Sequence, residues 1–281
     1  MKLLRVGAPG AEKPAMMDPE GGLRDLSGVL HDFDAEALSD QGLRRIAGLD
    51  WRSLPKVAGN PRIGPCVPRP MNFFCIGLNY ADHAAESNMP IPKEPIVFLK
   101  SLGAFCGPDD DVKIPRGAKK VDWEVELGII IGKRGTYVPE HQAKEYVAGY
   151  CVCNDVSERE FQLERGGTWD KGKGCETFGP VGPWLVTRDE IPDPQSLPMW
   201  LDVDGERMQN GSTKTMIFGV DKLVSYLSHF FVLYPGDIIS TGTPPGVGNG
   251  KKPSPIFLKP GQTMRLGIEG LGEQQQKIVQ G

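Results

Sequence analysis

The chain has 281 residues, 39% of them hydrophobic and 24% charged, the balance of an ordinary globular protein with one large core or a large core plus an appendage. Its formal net charge of −4 gives no basic excess and argues against nucleic acid as a partner. The 36 glycines and 25 prolines favour a turn-rich, mainly β architecture over a helical bundle.

Taken from the start, residues 2–6 read as a short strand, residues 7–22 as turns, and 23–26 as a second extended piece. The segment from Met1 lacks the apolar core of a signal peptide, and no run is long enough to span a bilayer, so a cytoplasmic protein is expected. Asp34 is placed to cap a helix carrying Leu38, Leu43, Ile46 and Leu49. Pro55, Pro61, Pro65, Pro68 and Pro70 then break regular structure. The expected organisation is a small N-terminal unit over 1–65 and a larger domain over 66–281.

Phe73, Phe74, Cys75 and Ile76 predict a strand, and the alanine-rich stretch 79–87 a helix with Asn79 or Asp82 as its cap. A further strand follows at 95–100. Between 122 and 131, Trp123, Val125, Leu127, Ile129 and Ile131 recur every second residue, which predicts a strand. That period turns Glu124 and Glu126 to the opposite face, roughly 6–7 Å apart along the chain. Two such carboxylates repel unless a cation joins them, and oxygen donors suit Mg²⁺, Mn²⁺ or Ca²⁺ better than zinc. An acidic solvent face is the competing explanation.

Pro139 opens a predicted helix that runs into an apolar strand at 150–153, and Asp155 projects from that strand's end. With Glu124 and Glu126 it would give three oxygen donors. A short helix is expected over 158–165 and a glycine-rich loop over 166–179, with Lys173 free to close over an anion. Strands follow at 184–187 and 199–204, the latter turning at Asp204-Gly205 into 206–209. Asp221 is the expected cap of a helix bearing Leu223, Val224, Leu227, Phe230 and Phe231. A strand at 237–241 ends in Thr241-Gly242-Thr243-Pro-Pro-Gly, whose hydroxyl and bare amides could meet a carboxylate. A strand pair at 263–269 and 275–279 closes the chain. His83 and Glu86 share a helix face, and a carboxylate on the imidazole would fix its tautomer as a general base. The six cysteines show no zinc-type spacing, and Cys151-Val-Cys153 reads as two reduced core thiols.

In order, Gly77-Leu-Asn-Tyr-Ala-Asp-His83-Ala-Ala-Glu86, Asp122-Trp-Glu124-Val-Glu126-Leu-Gly, Asn154-Asp155-Val-Ser, Trp169-Asp-Lys-Gly-Lys173-Gly-Cys-Glu-Thr-Phe-Gly-Pro and Thr241-Gly-Thr-Pro resemble the fumarylacetoacetate hydrolase family over residues 70 to 270. The two ends are similar to bacterial members named 2,4-diketo-3-deoxy-sugar-acid hydrolases or ureidoglycolate lyases. The resemblance implies a mainly β fold with some α, a mixed β-roll carrying a small N-terminal α+β domain, assembled as a homodimer. It implies a divalent metal, Mg²⁺ with Mn²⁺ or Ca²⁺ as alternatives, held by Glu124, Glu126 and Asp155. Larger animal members add a carboxylate where this chain has Leu78-Asn79. It implies catalytic roles for His83, Glu86 and Lys173, and substrate contacts from Gln162, Gly242 and Thr243. The implied reaction is metal-dependent hydrolysis of a C–C bond in a small 2,4-diketo acid, releasing pyruvate or a related 2-keto acid. Ureidoglycolate lyase, oxaloacetate decarboxylase and 2-keto-4-enoate hydratase chemistry stay open, because metal–enolate chemistry serves several reactions. A non-catalytic metal-binding protein is the reading from another class.

Overall fold

The computed structural model describes residues 1–86 and 88–281; Ser87, at the end of the helix expected over 79–87, lies outside them. Most of the strands enter two mixed sheets. In the larger sheet the strands lie side by side in the order Leu23–Asp25, Lys13–Met17, Lys2–Val6, Gly179–Thr187, Val147–Asn154, Val125–Ile131, Ile238–Ser240, Phe73–Gly77 and Ile96–Leu99, with Phe105–Cys106 paired off Gly179–Thr187. The second sheet orders Glu206–Ser212, Pro198–Val203, Thr263–Ile268, Gly272–Gln280 and Val112–Ile114. This is the mainly β, mixed-sheet roll that the sequence led us to expect. No helix is long and apolar enough to cross a membrane among the described residues.

The alternation read from the glutamate stretch separates two cores. Val125, Leu127, Ile129 and Ile131 pack between the sheets with Met199, Leu201, Met264 and Leu266, and with Leu223, Val224 and Leu227 of the helix Val220–Ser228. Ile130 points the other way, into a core made with Leu3, Leu26, Phe33, Leu38, Ile46, Cys151 and Cys153. Both faces of the strand are therefore dry. The acidic face is not a solvent face: Glu124 and Glu126 are 6% and 1% exposed. Residues 1–65 supply three strands to the larger sheet and much of this second core.

Several elements differ from their sequence expectation. The run is not one strand but two, Val121–Asp122 and Val125–Ile131. Side chains take the backbone amides in between: Trp123 N donates to Asp122 Oδ1, Glu124 N to Asn154 Oδ1 and Val125 N to Gln209 Oε1. The first helix is Asp40–Ala47 and is capped by Ser39, whereas Asp34 accepts the amides of Glu36 and Ala37 in a preceding turn. Asp221 lies inside the first turn of its helix, whose N-cap is Gly219, and the helix ends before Phe230 and Phe231. Residues 140–146 are 3₁₀ rather than α. The glycine-rich loop contains a short helix, Asp170–Lys173. Gly172 permits it, because a Cβ there would sit 2.3 Å from the Glu158 carbonyl oxygen.

Candidate metal and 2-keto-acid site

Strand register brings the acidic residues together. Val147–Asn154 runs antiparallel to Val125–Ile131 with Cys153 opposite Glu126 and Asn154 opposite Val125. The next residue, Asp155, then meets Glu124, and its amide donates to the Glu124 carbonyl at 2.9 Å. One carboxylate oxygen from each of Glu124, Glu126 and Asp155 lies within 4.8 Å of the others, and all three residues are buried. On the other side, Ile238–Ser240 pairs with the same glutamate strand. Ser240 Oγ and Gly242 N both donate to Glu126 Oε2, at 2.6 and 2.9 Å. Thr243 Oγ1 donates to the carbonyl of Val125 at 2.9 Å and accepts from Gln209 Nε2.

Protein cations surround two of the three carboxylates. Lys173 Nζ lies 2.8 Å from Glu124 Oε2 and 2.7 Å from Asp155 Oδ2. Lys100 Nζ lies 2.5 Å from Asp155 Oδ1 but makes no aligned hydrogen bond to it, because it donates to the carbonyls of Val156 and Lys173. Arg159 bridges Asp122 and Glu124, each at 2.7 Å from its NH2 group, and donates from NH1 to Gln162 Oε1. Burial opposes ionisation of Glu124, yet Lys173 and Arg159 hold its carboxyl down at about 2. Among the described residues, no cation forms an ion pair with Glu126. Burial, reinforced by the charges of Asp155 and Glu124, pushes its carboxyl well above the usual range. A divalent cation among the three oxygens would relieve that repulsion, so the donor set fits a hard metal ion.

The carboxylates sit at the base of a cleft of about 290 Å³. His83, Glu86, Glu124, Glu126, Gln162, Lys173 and Thr243 line it, while Asp155 and Gly242 stand just behind the lining. The helix Ala81–Glu86 carries the histidine pair, with His83 Nδ1 3.0 Å from Glu86 Oε2. If Nδ1 donates to the carboxylate, Nε2 is left as the acceptor facing the cleft. Glu86 also accepts the Gly246 amide at 3.1 and 3.2 Å. Burial resists its ionisation, but the contacts from His83 and Gly246 hold its carboxyl below the ordinary value. Phe98 and Trp169, stacked edge to face, form an apolar wall with Leu163 and Met89.

Three charged residues of this site carried no sequence expectation. Arg159 opens a helix like any exposed arginine, Lys100 ends an apolar strand, and Asp122 precedes the glutamates. The available signal was spacing: Arg159 follows Asp155 by four residues and so reaches back to the same strand end.

A buried acidic trio at the base of a cleft on a mixed β-roll is a donor set that could hold a metal ion. The model for the fumarylacetoacetate hydrolase C-terminal domain matches residues 72–279, and the chain belongs to that family. A Burkholderia multivorans protein named only provisionally as a hydrolase is 62% identical over 276 residues, covering 98% of each chain. Maleylpyruvate hydrolase of Sphingobium sp. SYK-6, solved with manganese(II) and pyruvate, superposes with a TM-score of 0.82 at 28% identity over the whole of both chains. The 2-hydroxyhepta-2,4-diene-1,7-dioate isomerase of Mycobacterium marinum does so with a TM-score of 0.76 at 30% identity, over 100% of this chain and 98% of that one. The family thus includes hydrolases and isomerases on one framework.

Proposed function

We propose that this protein is a divalent-metal-dependent hydrolase that cleaves the C3–C4 bond of a small 2,4-diketo acid and releases pyruvate or a related 2-keto acid. The observation that carries the reading is the buried trio Glu124, Glu126 and Asp155 at the base of the same cleft that the His83–Glu86 pair lines. These three would hold Mg²⁺ or Mn²⁺, which supplies positive charge for the oxygens of the 2-keto acid. The manganese and pyruvate in the Sphingobium hydrolase support that assignment.

Residue chemistry supplies the rest. His83 Nε2, oriented by Glu86, takes a proton from water, and the resulting hydroxide adds to the C4 carbonyl. The C3–C4 bond then breaks, its electron pair stays on C3 as the enolate of the 2-keto acid, C4 leaves as a carboxylic acid, and the proton held on His83 passes to C3 to give the 2-keto acid and restore the base. Lys173 is the cation that steadies the developing oxyanion, and Gln162 and Thr243, which line the cleft, orient the substrate carboxylate, while the Gly242 amide holds Glu126 from behind. Apolar Phe98, Trp169, Leu163 and Met89 flank the acyl portion.

The test is turnover of acylpyruvates, fumarylacetoacetate-type acids, oxaloacetate and ureidoglycolate, with coupled detection of pyruvate and direct assay of the other product. We expect pyruvate plus a carboxylic acid from diketo acids, lost with chelator and restored by Mn²⁺ or Mg²⁺. Isomerised product with no C–C cleavage, or glyoxylate and urea from ureidoglycolate alone, would refute the hydrolase reading.

A further inference from the structure

We propose that Asp122 is a positioning residue, coupling the loop over the cleft to the guanidinium of Arg159 at the cleft's base. The loop 243–252 supplies Thr243, Val247, Asn249 and Gly250 to the cleft lining, so its conformation shapes the substrate's surroundings. Asp122 is fully buried; each of its oxygens accepts a loop amide, and one of them also takes Arg159. Oδ1 accepts the Gly248 amide at 2.6 Å and the Trp123 amide at 2.8 Å. Oδ2 accepts the Asn249 amide at 2.9 Å and Arg159 Nε at 2.8 Å, and Arg159 NH2 lies 2.7 Å away.

This arrangement is more than a turn cap. An ionised carboxylate offers about four acceptor sites, and Asp122 fills them with four N–H groups drawn from the loop, its own strand end and Arg159. Arg159 spends its other contacts on Glu124 and Gln162. The guanidinium is thus held on three sides, by hydrogen bonds from Nε to Asp122 and from NH1 to Gln162 and by the ion pairs of NH2 with Asp122 and Glu124. Its orientation is set in part by Asp122 Oδ2, which accepts from Nε and faces NH2. Gly248 allows the approach, because a Cβ there would lie 2.0 Å from the Ile256 carbonyl oxygen and 2.8 Å from Asp122 Oδ1. The loop cannot lift without breaking contacts to the residue that aims Arg159. The arginine, conversely, cannot swing without loosening the loop.

The coupling is tested by amide hydrogen exchange on the full chain, which needs no substrate. Asp122→Asn and, independently, Arg159→Ala should each speed exchange at Gly248 and Asn249 by about tenfold or more, with the amides of Thr263–Ile268 and Gly272–Gln280 unchanged. If Arg159→Ala leaves Gly248 and Asn249 as protected as in the unaltered protein, the coupling is refuted. A catalytic arm rests on the function proposed above. There Asp122→Asn should lower kcat/KM by about tenfold or more, yet change it less than about twofold when Arg159 is already alanine. Effects that multiply would mean that Asp122 does not act through Arg159. Failure of the unaltered enzyme to release pyruvate from any diketo acid would count against the hydrolase reading, and the exchange arm would still decide the coupling.

Discussion

At the scale of single residues, the site divides into groups that carry charge and groups that direct it. His83 belongs to the second kind of chemistry only through Glu86, since an imidazole with one nitrogen pinned to a carboxylate offers the other as base. His83→Ala should therefore cut kcat by about 10²-fold or more, with little change in melting temperature; equal turnover in the variant would exclude the base role. Glu86 adds a pH signature. Its carboxyl lies below the ordinary 4.5 in the folded state, so its contacts stabilise the fold fully above that value and lose their effect as pH falls through the lowered one. The stability gap between the unaltered protein and Glu86→Gln should be widest above about pH 4.5 and shrink on acidification, as read from urea unfolding at several pH values. A gap that widened in acid would contradict the assignment. The residues legible in the sequence were those with an unusual type at a readable spacing: the paired glutamates, the aspartate at a strand end and the histidine three before a glutamate. Arg159, Lys100 and Asp122 were not legible, because a buried charge and a solvated one are the same letter until strand register supplies the partner.

Elements show the same division. Strands with strict alternation, above all Val125–Ile131, were readable because the period of two matches the pleat, whereas the burial of the second face was not. Helix starts were misread where two acceptors compete: Asp34 and Ser39 are both good caps, and only packing decides that Ser39 begins the helix. The short helix Asp170–Lys173 was hidden by its glycines, which usually signal loops. Here Gly172 is required by closeness to the preceding helix, for a Cβ would press on the Glu158 carbonyl at 2.3 Å and on Gln162. Gly172→Ala should therefore force the two short helices apart, cost about 1–3 kcal/mol and withdraw Lys173 from Glu124 and Asp155. Denaturant midpoints measure the first effect and turnover the second; an alanine variant as stable and as active as its parent would show that the helices yield without moving the lysine.

At the scale of the molecule, the question is whether residues 1–65 fold as a unit of their own, as the proline-rich break suggests. Their central strand, Lys2–Val6, pairs on one side with Lys13–Met17 and on the other with Gly179–Thr187, with Leu3 opposite Leu185. The N-terminal ammonium donates to Thr187 Oγ1 at 2.6 Å, and Arg62 ties Glu12 to Asp110 across the break. Leu26, Phe33, Leu38 and Ile46 bury their side chains against Phe73, Ile130, Cys151 and Ile238 rather than among themselves alone. A small unit that released these contacts would expose an apolar face to water, and the larger sheet would lose one cover of its central strands. The two should melt together. Phe33→Ala, at a position 1% exposed, should cost about 3–5 kcal/mol and move the midpoint of one shared transition, seen alike by tryptophan fluorescence and by far-ultraviolet circular dichroism. Two transitions, with only the earlier one shifted by the substitution, would mean that the N-terminal segment folds independently and docks afterwards. A single shifted transition would mean that the cover over Ile130, Cys151 and Cys153 is part of the core beneath the acidic trio, since the strands bearing those residues also carry Glu126 and lead into Asp155.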